Sequence, residues 1–113
     1  MPRDYRLYLD DIVEAIKRIR NYTGGMDHKA FSSDLKTQDA VVRNLEIIGE
    51  AARHLPSEIT DRVPAIEWPK IMGLRNILTH EYFGINLAII WDIVQHKLDP
   101  LDEACRKLLK GSP

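Results

Sequence analysis

Apolar positions along this chain recur three and four residues apart rather than two, so the pattern predicts helices and almost no strand. Tyr5, Leu9, Ile12, Ile16 and Ile19 form one stripe of a helix running from about Asp4 to Tyr22. Gly24-Gly25 ends it, because paired glycines make chain reversal easy. A short stretch, Asp27 to Ser33, leads into a second long helix, roughly Asp34 to Leu55, whose stripe is Val41, Leu45, Ile48, Ala52 and Leu55. Ala51 and Ala52 let a neighbouring helix come close, and Pro56 stops the element. Pro64 and Pro69 bracket the next loop. Pro69 suits the first turn of a third helix, which carries Ile71, Met72, Leu74, Ile77 and Leu78 inward and frays near Phe83-Gly84. Asn86 is the expected N-cap of the last helix, with the stripe Leu87, Ile90 (or Trp91), Val94, Leu98, Leu101, Cys105 and Leu108. Pro100 inside that stripe either kinks the helix or restarts it with Asp99 as the cap, and Gly111-Ser112-Pro113 reads as a frayed end. The expected fold is all-α: an antiparallel bundle of about four long helices. Stripes this regular in a bundle this small lead us to expect a homodimer.

Composition narrows the picture. The chain has 113 residues, of which 44% are hydrophobic and 29% charged, which fits one ordered domain over residues 1–113. No apolar run approaches the ~20 residues of a membrane span, so no membrane partner is expected. The N-terminal MPRDYRLYLDD carries acids where a signal peptide has its apolar stretch, so no export signal is expected. The single Cys105 excludes an intrachain disulfide and a multi-cysteine zinc site. These features together predict a cytoplasmic protein. The net charge of −1 removes the general argument that a strongly basic chain binds nucleic acid, so such a partner must be argued from local residues.

The stretch richest in chemistry is Gly73-Leu74-Arg75-Asn76-Ile77-Leu78-Thr79-His80-Glu81-Tyr82-Phe83-Gly84. It sets a guanidinium, an amide, a hydroxyl, an imidazole and a phenol within a few helical turns. Arginine is a permanent cation whose donor fork matches phosphate oxygens, and histidine exchanges a proton near neutral pH. Together they are the minimum for cutting a phosphodiester without a metal: histidine moves the proton, and arginine stabilises the charge that builds on phosphorus oxygens. At about 100° per residue, Arg75 and His80 point roughly 140° apart on a straight helix, whereas Asn76 and His80 share a face. A dimer axis beside this helix would bring two copies of the set together. The bland alternative is an ordinary surface Arg and His on an amphipathic helix.

Elsewhere the structural reading is favoured. Arg43, Glu46, Glu50 and Arg53 sit at three- and four-residue spacing, which predicts a salt-bridged polar face. Their functional alternative is that Asn44, Glu46 or Glu50 orients Arg75. His28, His54 and His96 lack paired ligand spacing, so no metal site is expected. Asp10-Asp11 diverge on a helix and read as solvated charge. Trp68 and Trp91 fit the core or an interface, and Cys105 a packed position. Lys17, Arg18 and Arg20 form a small basic cluster with Asp11 and Glu14 close by, a charged face first and an RNA backbone contact second.

At Arg75-Asn76-Ile77-Leu78-Thr79-His80-Glu81-Tyr82 the chain resembles the HEPN ribonuclease superfamily, and within it the HepT-like toxins, whose signature is Arg, four residues, His, one residue, Tyr. Asn76 fits the polar position after the arginine. Lys36-Thr37-Gln38-Asp39-Ala40-Val41, Arg43-Asn44-Leu45-Glu46-Ile47-Ile48-Gly49-Glu50-Ala51-Ala52 and Tyr82-Phe83-Gly84-Ile85-Asn86, with Trp91 beyond, extend the likeness over nearly the whole chain. The resemblance implies a four- or five-helix HEPN-like bundle that forms a two-fold dimer, with Arg75 and His80 near the dimer cleft. It implies a metal-independent endoribonuclease, the toxin of a type VII toxin–antitoxin pair. It also implies a minimal nucleotidyltransferase as antitoxin, which silences the toxin by placing AMP on Tyr82. Asn76, Glu46 and Glu50 would orient substrate or support the catalytic pair. RNA is the expected substrate; neither DNA nor a cofactor is implied. Two readings of another class compete: a non-catalytic helical partner or nucleotide-binding module of the nucleotidyltransferase, and a dimerisation scaffold.

Overall fold

The structure, a computed structural model, describes residues 3–74 and 87–111, and every regular element among them is helical. Helix α1 spans Tyr5–Thr23, α2 His28–Ser32, α3 Leu35–Arg53, α4 Ser57–Thr60 and α5 Trp68–Met72. Beyond the gap come α6 (Leu87–Asp92), a π-helical turn (Ile93–Lys97) and α7 (Leu98–Leu109).

Three helices start on an aspartate. The side chains of Asp4, Asp27 and Asp34 accept from the backbone N–H of Arg6, Ala30 and Thr37 at 2.9, 2.8 and 3.0 Å. Each satisfies a donor that has no partner inside its helix. At Asp34 the backbone N–H and then the hydroxyl of Thr37 hold the carboxyl below its usual range. The first helix ends as the glycine pair predicts: Gly24 caps it, and Gly25 takes φ +80°, a conformation that only glycine adopts without strain. The stretch from Asp27 to Ser33 contains a helix of its own, α2, because Asp27 caps it and Phe31 anchors it with no exposed surface. The third predicted helix begins at Trp68 with Pro69 in its first turn, and α5 closes at Met72 on a Gly73 cap. Leu74 beyond it is buried.

The predicted stripes make the core. Leu9, Ile12, Ile16 and Ile19 of α1 meet Val41, Leu45, Ile48 and Ala52 of α3, all with 0% exposure. Burying each of the larger side chains contributes about 1.5–3 kcal/mol. α1 lies between α3 and α7; α3 also carries α5, and α2 packs on both α3 and α6. The direction of the chain follows from two contacts. Tyr8, early in α1, stacks on His54 at the end of α3, and Arg20, late in α1, pairs with Asp99 and Asp102 at the start of α7. Both neighbours therefore run antiparallel to α1.

Of the two outcomes expected at Pro100, a kink or a restart capped by Asp99, the capped restart does not occur. Asp99 lies inside the first turn of α7, and Lys97 takes the flanking position, without a side-chain cap. The helix runs through Pro100 by widening into a π turn just before it. Proline offers no N–H to the carbonyl four residues back, and the wider turn accommodates that loss.

Candidate functional site

Arg75, Asn76, His80 and Tyr82 fall in residues 75–86, outside the described residues, as do the expected Asn86 cap and the Ile77 and Leu78 core positions. The described part of the predicted site is the outer face of α3, with Asn44, Glu46 and Glu50.

Among the described residues this face shows one ion pair, Glu50 with His54, and none between the four charges whose spacing suggests a salt-bridged surface. Arg43, Glu46 and Arg53 make no ion pair among the described residues, although each has an opposite charge three or four positions away. Glu46 is instead half-buried in a groove of about 380 Å³ between α1 and α3. Arg43, Glu46, Glu50 and His54 line one wall, Arg3, Tyr8 and Asp11 the other, with Ile47 and Ala51 between the polar groups. The wall from α1 is a stack. The Arg3 guanidinium lies 4.7 Å from the centre of the Tyr8 ring and donates to Asp11 at 2.7 Å. The His54 ring is 4.9 Å from Tyr8 with planes 13° apart. Tyr8 thus meets both a guanidinium and an imidazole ring. His54 Nε2 also meets Glu50 at 3.3 Å. Sequence reasoning missed Arg3, Tyr8, Asp11 and His54 as a set. The spacing of Glu50 and His54 flags one pair, but only the antiparallel register of α1 and α3 brings the others to it.

Asn44 stands one turn away and is buried. Its Nδ2 donates to the Ala40 carbonyl at 2.9 Å, whereas Oδ1 is buried without a hydrogen-bond partner among the described residues. An acceptor left so costs free energy, against which the bond to Ala40 stands.

The remaining sequence readings are placed directly. Trp68 is buried with its Nε1–H donated to the Val63 carbonyl at 3.1 Å, and Trp91 packs 5.1 Å from Phe31. Cys105 is fully buried, and desolvation pushes its thiol up to about 12. Of the basic cluster, Arg20 turns to α7, leaving Lys17 and Arg18 exposed. A second recess of about 450 Å³, mostly apolar, lies between α5 and the π turn and includes Ile71, Leu74 and Ile93. No described helix is long and apolar enough to cross a membrane.

Comparison with known proteins decides the family. The model of the family described as ribonuclease HepT-like matches residues 12–108. The chain belongs to the ribonuclease HepT-like family. Its HepT-like relatives include a protein of Methanocaldococcus jannaschii provisionally named an RNase, 46% identical over 87% of this chain and 82% of that one. A probable ribonuclease HepT of Thermococcus cleftensis is 38% identical over 97% of this chain and all of its own length. The mRNA nuclease HepT of Shewanella oneidensis is 31% identical over 81% of this chain and 86% of its own. No solved structure matches the chain. The matched span takes in the α3 wall of the groove and the whole Arg75–Tyr82 motif, whereas Arg3, Tyr8 and Asp11 lie before it.

Proposed function

We propose that this HepT-like protein is an endoribonuclease and acts as the toxin of a toxin–antitoxin pair. The observation that carries the reading is the family match over residues 12–108, in a chain that keeps Arg75, Asn76, His80 and Tyr82 in one eight-residue motif. In this reading Arg75 binds the scissile phosphate and stabilises its developing charge, while His80 transfers the proton of the attacking 2′-hydroxyl or the leaving 5′-oxygen. Asn76 orients the substrate or the histidine, and Glu46 and Glu50 orient the substrate or hold Arg75 in place. No metal takes part, and the product ends in a 2′,3′-cyclic phosphate, because the 2′-hydroxyl is the nucleophile nearest the phosphorus.

The same reading makes the active form a homodimer that presents two copies of the motif to one cleft, in the cytoplasm. Its antitoxin is a minimal nucleotidyltransferase that moves AMP to the Tyr82 hydroxyl. A bulky anion there competes with RNA phosphate for Arg75.

The test is incubation of the purified protein, its intact mass checked, with total RNA in EDTA, beside His80→Ala. Cleavage by the wild type alone, leaving cyclic phosphate ends, is the expected result. No cleavage by a chain of unmodified mass favours a non-catalytic module that binds the nucleotidyltransferase or a nucleotide. No cleavage by a chain heavier by one AMP identifies the silenced toxin.

A further inference from the structure

The recess between α5 and the π turn is built differently from the α1–α3 groove. Its walls are aliphatic: Ile66, Ile71, Leu74, Ile93, Pro100 and Leu101 line it. Leu74 and Leu101 are buried, whereas Ile66, Ile71 and Ile93 pack on the core and still keep part of their surface open. Three partly open isoleucines around one volume of about 450 Å³ leave apolar surface in contact with water, and covering it is favourable. A concave apolar volume of this size, with a few polar groups at its edge, is the usual form of a small-ligand site.

The polar groups at that edge carry an excess of positive charge. Glu67, Lys70, His96 and Lys97 all line the recess. Glu67 bonds Lys70 at 2.9 Å. That bond, and then the charge of Lys97, hold the Glu67 carboxyl below its usual range. Two ammonium groups therefore stand near one carboxylate, and Lys97 makes no ion pair among the described residues. Asp99, two positions on, is bonded to Arg20 instead. The walls also restrict the occupant. α5 is five residues long, about 7 Å at 1.5 Å per residue. A partner helix anchors through positions spread over two turns, about 10 Å, which this wall is too short to seat. No phenyl, phenol or indole ring lines the recess among the described residues, so nothing there selects a flat group. Branched aliphatic walls suit a flexible hydrocarbon chain.

We propose that this recess binds an aliphatic monocarboxylate of medium chain length, with the hydrocarbon tail among Ile66, Ile71 and Ile93 and the carboxylate at Lys97. The tail supplies most of the affinity, and the ammonium group decides which end stays in water. The inference goes beyond the ribonuclease reading and does not depend on it. None of the residues it uses belongs to the Arg75–Tyr82 motif, and the ligand is not a substrate.

The test titrates octanoate, octan-1-ol and octylamine separately into the full-length protein at neutral pH and follows amide chemical shifts. Octanoate should bind saturably, with shifts centred on residues 65–71 and 93–101. Hexanoate should bind more weakly, by up to about fourfold for each methylene removed. Octan-1-ol should bind about fivefold less tightly than octanoate, and octylamine less tightly still. Lys97→Glu, at an exposed position, should erase the advantage of octanoate over octan-1-ol while the alcohol keeps its own affinity. The series of head groups examines the same point on the wild type, without any variant. Absence of saturable binding, shifts centred elsewhere, equal affinity for the three head groups, or an octanoate advantage unchanged in Lys97→Glu would each overturn the proposal. RNA cleavage plays no part in the readout, so failure here and failure of the nuclease reading are separate results.

Discussion

Arg20, in the last turn of α1, reaches the carboxylate of Asp102 in α7 at 3.3 Å, across 82 positions of sequence. Asp102 is nearly buried, with 13% of its side chain exposed, and it also accepts from Arg106 Nε at 3.1 Å. Arg20 bonds Asp99 as well. Asp102 thus sits at the centre of the polar clasp between the first and last helices. Asp102→Ala removes the acceptor of Arg106 and one of the two acceptors of Arg20, and should destabilise the fold by about 1–2 kcal/mol. Arg106→Ala, which removes one exposed partner, should cost well under half of that. Urea denaturation of the two variants measures the difference; equal losses would show that the clasp has no centre.

Phe31 gives a second prediction. It is the fully buried anchor of a five-residue helix, with its ring 5.1 Å from Trp91. The backbone behind it is held by Gln38, whose Nε2 donates to the Phe31 carbonyl at 2.8 Å. Phe31→Ala should cost about 3–5 kcal/mol, enough to unfold a marginal domain, whereas Phe31→Leu should cost far less. Thermal denaturation followed by circular dichroism distinguishes them.

Cys105 predicts a dependence on pH. Burial, and then the charge of Asp102, raises its thiol from 9.0 to about 12. The folded state therefore holds this proton more tightly than the unfolded chain does. Its contribution is complete below about pH 9 and is lost as pH rises toward 12. At about pH 10 the loss should be about 1 kcal/mol. Comparing urea midpoints of wild type and Cys105→Ala at neutral pH and at about pH 10 isolates it. The wild type should lose more, and its native thiol should stay inert to an alkylating reagent at pH 8.

For the proposed reaction, Arg75→Ala and His80→Ala should each lower RNA cleavage by at least about a hundredfold. Both proteins should keep the helical circular-dichroism spectrum of the wild type. Cleavage at the wild-type rate by either variant would remove that residue from the reaction.

Much of the fold was legible because one-dimensional periodicity determines which side of a helix is buried. Every predicted stripe residue in α1 from Leu9 onward, and every one in α3, is buried. Asp4 and Asp34 were readable as helix starts because a cap acts within three residues of itself. Short helices were less legible: α2 and α4 offer only one or two inward positions each, too few for a period to show. The polar face of α3 misled for another reason. Its spacing permits Arg43 to pair with Glu46 and Glu50 with Arg53, yet the α1 wall supplies Arg3, Tyr8 and Asp11, and what a side chain faces across a groove is not encoded in its own helix. Family likeness carried the motif at Arg75 and His80, where residue spacing alone favoured an ordinary surface pair.

The π turn at Ile93–Lys97 acts as a phase offset in the last helix. A π turn holds about one residue more than an α turn, so it takes up an extra residue without turning one flank against the other. Wound as ordinary α-helix with all its residues kept, the segment would swing Leu87–Asp92 by up to about 100° against Leu98–Leu109. Ile90 would leave the core and Trp91 would leave Phe31, while α7 kept its place on α1. The irregular turn thus works as an index mark. It lets one continuous helix answer to two different neighbours, and the width of that turn, more than the identity of its exposed residues, keeps the two in phase.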